Sequence, residues 1–367
     1  MDHETTPDRR TRLADRLLVL CALDSSSGRE DALLPGLVPL LTSLGARVHL
    51  QEVAPGRSNV LALWGRPRVL FSTHLDTVPP FVAPMLAGAW LHGRGACDAK
   101  GQIVAQLGAV AELLDAGVRD VAWLGVVGEE TDSLGARAAL DLAPRLRACE
   151  AVVCGEPTDG KLATGQRGIQ HHLLRCRGRA AHSSRPEDGH SALWPLMAWL
   201  ERLRQRPAAE DRELGSDSWN LGRLEGGQAP NVVPDFAEAH LFARTVPQSR
   251  LAADIQVLMP PEGEAELLLS EPHDRYPRLE GFTHAPVPFG SDAPCLRNLA
   301  RKGTVVLAGP GSIRWAHGPD ERIGLDELDA GVDLNLRLAK HLLRMGRDAI
   351  EEQPAKRGPV RQPGASA

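Results

Sequence analysis

The sequence predicts an α/β fold in which a mostly parallel sheet is flanked by helices and a smaller α+β domain is inserted into the chain. Short apolar runs rich in β-branched residues alternate with segments of helical length and periodicity, which is typical of a largely parallel sheet. Between about residues 168 and 281 the pattern changes to alternating strands around one amphipathic helix. That change indicates a second structural unit.

The elements of the main unit are predicted from periodicity. Ser27 and Glu30 have the spacing of a capping box ahead of an early helix. The strands are expected at residues 59–63, 68–72, 121–127, 151–154 and 304–308. Apolar residues that share one face predict a helix between the second and third strands and another near the end; they are Ile103, Leu107, Val110 and Leu114, and then Leu328, Val332 and Leu336.

This prediction divides the chain into three parts. Residues 1–167 and 282–346 form the main domain, residues 168–281 form the insert, and the polar, proline-rich residues 347–367 form a disordered tail. Within the insert, GIQHHLLRCRGRAAH and EAHLFART alternate like strands, and SALWPLMAWLERL has the pattern of an amphipathic helix. A single continuous domain with a long excursion is the open alternative.

Composition excludes several classes of protein. The chain has 42 Lys and Arg against 47 Asp and Glu, and both signs are scattered, which argues against nucleic-acid binding. The charged start lacks the apolar core of a signal peptide, and no run has the length of a membrane span, so we expect a cytoplasmic protein without membrane contact. The six cysteines form no CxxC pair and are expected to be mostly buried, small apolar residues.

Polar residues follow four of the predicted strands. FSTHLD supplies His74 and Asp76, LGVVGEE supplies Glu129 and Glu130, VVCGEP supplies Glu156, and VVLAGPGSIRWAH leads to His317. In open α/β sheets, ligands bind in the crevice beyond the carboxyl ends of the strands. These side chains are therefore expected to converge.

The residue types suit a hydrolytic centre with two metal ions, which needs imidazoles, several carboxylates, one bridging group and a free general base. Asp76 lies two residues after His74 and can orient its ring from the same face of an extended segment. Asp98 in GRGACDAKG can bridge two ions, and one of the adjacent pair Glu129 and Glu130 can bind metal while the other acts as base. Each motif alone has a structural explanation, such as a capped loop or a solvated face.

The chain resembles the M20 metallopeptidase family, whose motifs occur in order as THLDTVPP, GRGACDAKG, GEE, GEPT, AHSSRP, GGQAPNVVP and GPGSIRWAHGPDE. Within that family it is most similar to the branch of acetylornithine deacetylase and succinyl-diaminopimelate desuccinylase, which Glu at position 156 also fits. The resemblance implies a zinc-exopeptidase-like fold whose insert is a lid and dimerisation domain. It also implies two divalent ions, zinc or cobalt.

The resemblance implies a role for each metal-site residue. His74 and Glu156 would hold one ion, and Glu130 and His317 the other, with Asp98 bridging. Glu129 would be the general base, and Asp76 the partner that orients His74.

The insert is expected to contribute to substrate binding. By resemblance His182 polarises the scissile carbonyl, in some relatives from a partner subunit, and Asn231 contacts substrate. Arg244 corresponds to an arginine that pairs with the substrate carboxylate, although Phe242 stands where the family often has Asp. Gly311 and Ser312 belong to a predicted backbone-donor loop. The alternatives are a turn histidine, a solvated strand arginine and an ordinary turn. His171, His172, His190 and His240 match no motif and are expected to be structural.

The predicted function is removal of an N-acyl group, most simply acetyl, from an amino acid. N-acetylornithine, in arginine biosynthesis, is the first predicted substrate, and a homodimer through the insert is the predicted assembly. The alternatives within the family are acetylcitrulline or acetyl-lysine deacetylation, succinyl-diaminopimelate desuccinylation, and dipeptidase or carboxypeptidase activity. A non-catalytic metal-binding scaffold is the alternative from a different class.

Overall fold

The computed structural model describes the backbone of residues 8–351 and the side chains through residue 345. The helices are α1 (Arg9–Cys21), α2 (Leu34–Ser43), α3 (Lys100–Asp115), α4 (Leu134–Ala138), α5 (Leu193–Arg204), α6 (Leu251–Val257), α7 (Ala293–Leu296) and α8 (Leu325–Glu351). Helix α8 extends five residues into the predicted tail, and the rest of that tail, residues 352–367, lies outside the described residues.

The strands are β1 (Arg47–Ala54), β2 (Arg57–Trp64), β3 (Val69–His74), β4 (Met85–Ala87), β5 (Trp90–His92), β6 (Val121–Val126), β7 (Ala151–Cys154), β8 (Leu162–Gln166), β9 (Gly168–Arg177), β10 (Glu210–Asp211), β11 (Gly215–Ser216), β12 (Ser218–Gly226), β13 (Phe236–Thr245), β14 (Gly263–Glu271), β15 (Asp274–Arg275), β16 (His284–Val287), β17 (Thr304–Leu307) and β18 (Arg322–Gly324). The five predicted strands of the main sheet correspond to β2, β3, β6, β7 and β17. Strand β1 was not predicted, because its half-exposed side chains give a weaker apolar pattern.

The main sheet has six strands in the order β1-β2-β6-β3-β7-β17. Strands β6, β3, β7 and β17 are parallel, with Val69 of β3 opposite Ala151 of β7. Strands β1 and β2 run antiparallel and extend one edge. The sheet is therefore mixed, and the predicted parallel character holds for its four-stranded core.

Helices cover both faces of the main sheet. Along β2, Val60 and Ala62 pack with helices α1, α2, α3 and α8, whereas Leu61 and Leu63 pack with α4 and α7 on the opposite face. Successive strand residues point to opposite faces, so a strand buried on both sides is apolar throughout. This burial explains why the central strands appear in the sequence as continuous apolar runs.

The predicted capping box near the start is wrong. The Ser27 hydroxyl donates to the Asp76 carboxylate at 2.8 Å, and helix α2 begins only at Leu34, after a 3₁₀ turn. The Glu30 carboxylate is fully buried and forms an ion pair with Arg57. Both side chains therefore make long-range contacts, which outweigh the local capping pattern.

A second, four-stranded antiparallel sheet has the order β12-β13-β9-β14. Residues alternate along β13: Leu241 and Ala243 pack against α5 and α6, while Phe242 and Arg244 face the other way. The predicted amphipathic helix of this region is α5. The predicted domain boundaries at residues 168 and 281 stay a prediction.

All six cysteines are free, and five are buried, as expected for small apolar residues. Among residues 8–351, no helix is both long and apolar enough to cross a membrane. The predicted cytoplasmic location stays a prediction.

Candidate metal centre

Two imidazoles and three carboxylates converge beyond the carboxyl ends of the parallel strands. His74 is the last residue of β3, Glu130 and Glu156 follow β6 and β7, and His317 follows β17. Asp98 lies in the turn that leads into α3. Parallel strands end at one edge of the sheet, so the order of the chain brings distant residues together.

Asp98 lies between the two histidines. His74 Nε2 is 3.0 Å from Asp98 Oδ1, and His317 Nε2 is 3.3 Å from Asp98 Oδ2. Glu156 completes a group with His74 and Asp98, and Glu130 completes a second group with Asp98 and His317, whose Nε2 it meets at 3.0 Å. Within each group the ligand atoms lie within 4.8 Å of one another. This arrangement fits two divalent ions that share the Asp98 carboxylate.

The site holds more negative charge than its own cations balance. Desolvation raises the pKa values of Glu129 and Glu156 well above normal, and mutual repulsion between the two carboxylates adds to the shift of Glu129. Hydrogen bonds to Asp98 and Glu130 raise the pKa of His317 to about 10. Asp292, which sequence reasoning missed, is buried nearby, and desolvation raises its pKa to about 7. A bound cation would stabilise the ionised form of carboxyl groups that are buried together in this way.

Asp76 fixes the turn that follows β6. Its Oδ1 accepts from the amides of Gly128 and Glu129, both at 3.1 Å, and its Oδ2 accepts from the amide of Glu130 at 3.2 Å. His74 Nδ1 lies 2.9 Å from the main-chain oxygen of Asp76 and 3.6 Å from its carboxylate. The main-chain oxygen is therefore the nearer partner of the ring, and the carboxylate chiefly positions Glu129 and Glu130.

Glu321 fixes the Asp98 turn in the same way, and sequence reasoning missed it. Its Oε1 accepts from the amides of Gly95, Cys97 and Asp98, at 2.9 to 3.2 Å. Its Oε2 receives a 2.6 Å bond from the buried Arg94. The only sequence signal is its place just after His317 in GPDER, since burial of a charged residue cannot be recognised from its type.

A cavity of about 210 Å³ opens between the metal site and the second sheet. One side, the acidic wall, consists of Asp98, Glu129, Glu130, Glu156 and His317. The part of the lining that comes from the second sheet, the second-sheet wall, consists of Ile169, Phe242, Arg244, Leu269 and Glu271. A substrate in this cavity would contact both walls at once.

Arg244 places an unpaired cation in the cavity. Its Nη1 is buried without a hydrogen-bond partner among the described residues, and its guanidinium stacks on the Phe242 ring at 5.2 Å. Desolvation lowers the pKa of Arg244, while the negative charges of Glu129 and Glu130 oppose that shift. A half-buried guanidinium whose Nη1 is buried without a partner suits an incoming carboxylate.

Comparison with known proteins identifies the family. Residues 70–341 match the family model described as peptidase family M20/M25/M40. The chain belongs to this family. An M20 domain-containing protein of Schizosaccharomyces pombe is 33% identical over 338 residues, covering 89% of this chain and 83% of that protein. A probable carboxypeptidase of Aspergillus clavatus is 33% identical over 323 residues, covering 78% of each chain.

The M20 fold is also found among solved structures. The crystal structure of a tripeptidase from Staphylococcus aureus has a TM-score of 0.77 with 21% sequence identity, covering 92% of this chain and 99% of that one. As an M20 member, the chain is a metallopeptidase-type hydrolase that acts on amide bonds. The curated relatives above are named for peptidase or carboxypeptidase activity, so the acetylornithine deacetylase branch stays a prediction.

Four of the predicted substrate-site residues of this M20 chain do not line the cavity. His182 is exposed and bonds to the Ser184 hydroxyl at 2.8 Å, and Asn231 is exposed on the neighbouring segment. Gly311 packs against the Cys97 sulfur behind the Asp98 turn, and the main-chain oxygen of Ser312 accepts from that sulfur. Gly311 and Ser312 therefore support the metal site from behind.

Four other histidines between residues 168 and 281 have partners of their own. His171 lies 3.0 Å from His240, His172 lies 3.1 Å from Gln170, and His190 lies 3.1 Å from Glu262. The potential ligand groups among the described residues contain none of these histidines. Each has the kind of contact expected of a structural residue.

Proposed function

We propose that the protein releases an amino acid from an N-acyl or peptidyl partner, with the free carboxylate of that amino acid bound by Arg244. One observation carries the proposal: Arg244 and the metal-site carboxylates line the same cavity. A substrate carboxylate on Arg244 places the neighbouring amide against the acidic wall. Carboxypeptidases and acyl-amino-acid hydrolases both have such substrates.

Each group of the acidic wall has a part in this proposal. His74 and Glu156 would hold one ion and Glu130 and His317 the other, with Asp98 between them. Two divalent ions, zinc or cobalt, would supply Lewis acidity for the amide carbonyl and the attacking water. The Glu129 carboxylate takes a proton from the attacking water and delivers it to the departing amine nitrogen. Asp76 and Glu321 hold the backbone that carries these groups.

Glu129 is the better candidate for base than its neighbour. Glu130 Oε1 is 3.0 Å from His317 Nε2, so its carboxylate belongs to the ligand cluster. Glu129 lines the same cavity and does not belong to either potential ligand group. A pure metal-binding scaffold has no need of this additional carboxylate.

His182 and Asn231 enter the proposal through a second copy of the chain. Both side chains are exposed, and the two segments that carry them are joined by an antiparallel β-bridge between His182 and Val232. Strand β12 is an exposed edge of the second, four-stranded sheet and carries Leu221 and Leu224 at its surface. We propose that dimerisation through this sheet brings His182 to the partner's cavity, where it donates to the developing oxyanion.

Mixing two inactive variants tests this dimer. Glu129→Gln removes the base, and His182→Gln removes the donor. If each site combines Glu129 of one chain with His182 of the other, refolding the two variants together gives hybrid dimers with one intact site and restores part of the activity. Mixtures that stay inactive would count against delivery across the interface.

N-acetylornithine is the second candidate substrate within this class, as a step of arginine biosynthesis. Glu271, the acidic group of the second-sheet wall, is paired with Arg137, so the case for acetylornithine rests on the sequence resemblance. Acetylcitrulline, acetyl-lysine and succinyl-diaminopimelate are further substrates to test.

Release of free amino acid by zinc- or cobalt-loaded protein tests the proposal. The panel holds acetylated amino acids, dipeptides and the same compounds with the carboxylate converted to an amide. We expect hydrolysis of the free acids and little of the amides. No turnover of any compound by metal-loaded protein would favour the scaffold.

A further inference from the structure

We infer that the cavity selects an amino acid with an apolar side chain. We also infer that Arg137 disfavours basic side chains, because it forms an ion pair with Glu271. The inference rests on the proposed function, because it takes the substrate carboxylate to lie on Arg244. It concerns the residues beyond that carboxylate, where the second-sheet wall meets the substrate side chain.

Strand register places three wall residues in one row. Arg244 of β13 is directly opposite Ile169 of β9, and Ile169 is directly opposite Glu271 of β14. Residues directly opposite in neighbouring strands point to the same face. Arg244 and Glu271 are thus two strand spacings apart, roughly 10 Å, with Ile169 between them. A side chain that leads away from a carboxylate on Arg244 can extend along this row.

Four apolar side chains of the cavity supply the inference, while Thr131, Ser133 and Ser291 add hydroxyl groups to the lining. Phe242 and Leu269, two residues before Arg244 and Glu271 in their strands, line the same cavity. Phe289 and Ile313 close it from the main unit. An aliphatic or aromatic side chain fits such a lining, which offers few partners to a charged one.

Glu271 is the acidic group on this row, and it is already neutralised. Arg137 of α4 donates to Glu271 Oε1, and the two form an ion pair. An ornithine or lysine ammonium that reached Glu271 would meet the Arg137 guanidinium as well. Repulsion by a like charge and the need to break the ion pair both disfavour basic substrates.

Arg137 can be replaced with little risk to folding. Its side chain is 52% exposed, and α4 directly follows the turn that carries Glu129 and Glu130. Arg137→Gln removes the charge and leaves Glu271 free to bind an ammonium. The matched control is Arg145→Gln, an exposed arginine of the following 3₁₀ turn; neither arginine lines the cavity, and the ion pair with Glu271 is made by Arg137.

Two readouts on the zinc-loaded protein test the inference. The first is kcat/KM for acetyl-leucine, acetyl-phenylalanine, acetyl-ornithine and acetyl-lysine. The second is calorimetric binding of the free products leucine and ornithine, which needs no turnover. We expect wild type to favour leucine over ornithine by about tenfold or more in both. Equal or better use of ornithine would overturn the inference.

The variants then test the role of Arg137. Arg137→Gln is expected to improve ornithine binding and hydrolysis about tenfold, with leucine changed less than twofold. Adding Glu271→Gln should cancel that gain, and Arg145→Gln should show none. An unchanged ornithine-to-leucine ratio in Arg137→Gln would refute the assignment.

The binding readout separates this inference from the proposed function. Selective leucine binding without hydrolysis of any substrate would contradict the hydrolase and support the apolar row. Hydrolysis with a preference for ornithine would support the hydrolase and overturn the apolar row.

Discussion

The two walls of the cavity differ in what holds their side chains in place. In the acidic wall, charged groups follow buried strands, and the turns that carry them are fixed by carboxylates: Asp76 binds the amides of residues 128–130, and Glu321 binds those of residues 95, 97 and 98. In the second-sheet wall, side chains are placed by antiparallel register and by contacts between side chains, such as the Arg137–Glu271 ion pair. In the proposed function, catalysis therefore uses the wall whose turns are fixed by buried carboxylates, and substrate recognition uses the wall built on strand register.

Replacing Glu129 should have the largest effect and tests the acidic wall. We expect Glu129→Gln to lower kcat by roughly 10³-fold with metal content unchanged, because loss of a general base affects the chemical step. Glu130→Gln is the comparison, since loss of a ligand should reduce metal content as well as activity. A Glu129→Gln enzyme with near wild-type turnover would exclude the assigned role.

Replacing Arg244 tests the second-sheet wall. Arg244→Gln should lower kcat/KM by roughly 10²-fold through KM for substrates with a free carboxylate, since a charge-assisted pair is lost. The control is Arg177→Gln, because Arg177 stacks on Phe236 at 5.1 Å in the same way but does not line the cavity. An equal loss for free acids and their amides would show that Arg244 does not bind the carboxylate.

Replacing Glu321 tests the supports of the acidic wall. Glu321→Gln should weaken metal binding by about tenfold, because one of its acceptor atoms becomes a donor facing Arg94 and the Asp98 turn loosens. Competition with a chromophoric chelator measures this. Glu327→Gln, which alters a bond to the Gly324 amide at the start of α8, is the control and should leave metal affinity unchanged.

The smallest expected effect comes from Ser27, which supports Asp76. Ser27→Ala should cost about 1 kcal/mol of unfolding free energy and reduce kcat less than threefold, because one hydrogen bond to Asp76 is lost. Ser26→Ala removes a hydroxyl that bonds to Asp24 instead. We expect Ser26→Ala to leave kcat unchanged. If it lowered kcat as much as Ser27→Ala does, the effect of Ser27 would not act through Asp76.

The same contrast explains what could be predicted from the sequence. His74, Glu130 and Glu156 follow apolar strands, and the parallel order of those strands brings them to one edge, so their convergence was predictable. Glu321 was missed because its partners are backbone amides more than 200 positions away. The pairing of Arg137 with Glu271 and the row through Ile169 depend on register and packing, which residue types do not specify.

The roles predicted for His182 and Asn231 have the least support in the structure of the single chain. They were assigned by resemblance, and the single chain leaves both exposed. A site completed by a second subunit cannot be read from one chain, because the contact that matters is formed only on association. The capping box failed for a related reason, since Ser27 and Glu30 are held by partners distant in sequence.

The most direct test is a zinc-edge anomalous difference map from crystals of the metal-loaded protein. The account predicts two peaks in each chain, one beside His74 and Glu156 and the other beside Glu130 and His317, on either side of the Asp98 carboxylate. Zinc bound elsewhere, or no peak at these five side chains under saturating zinc, would contradict it.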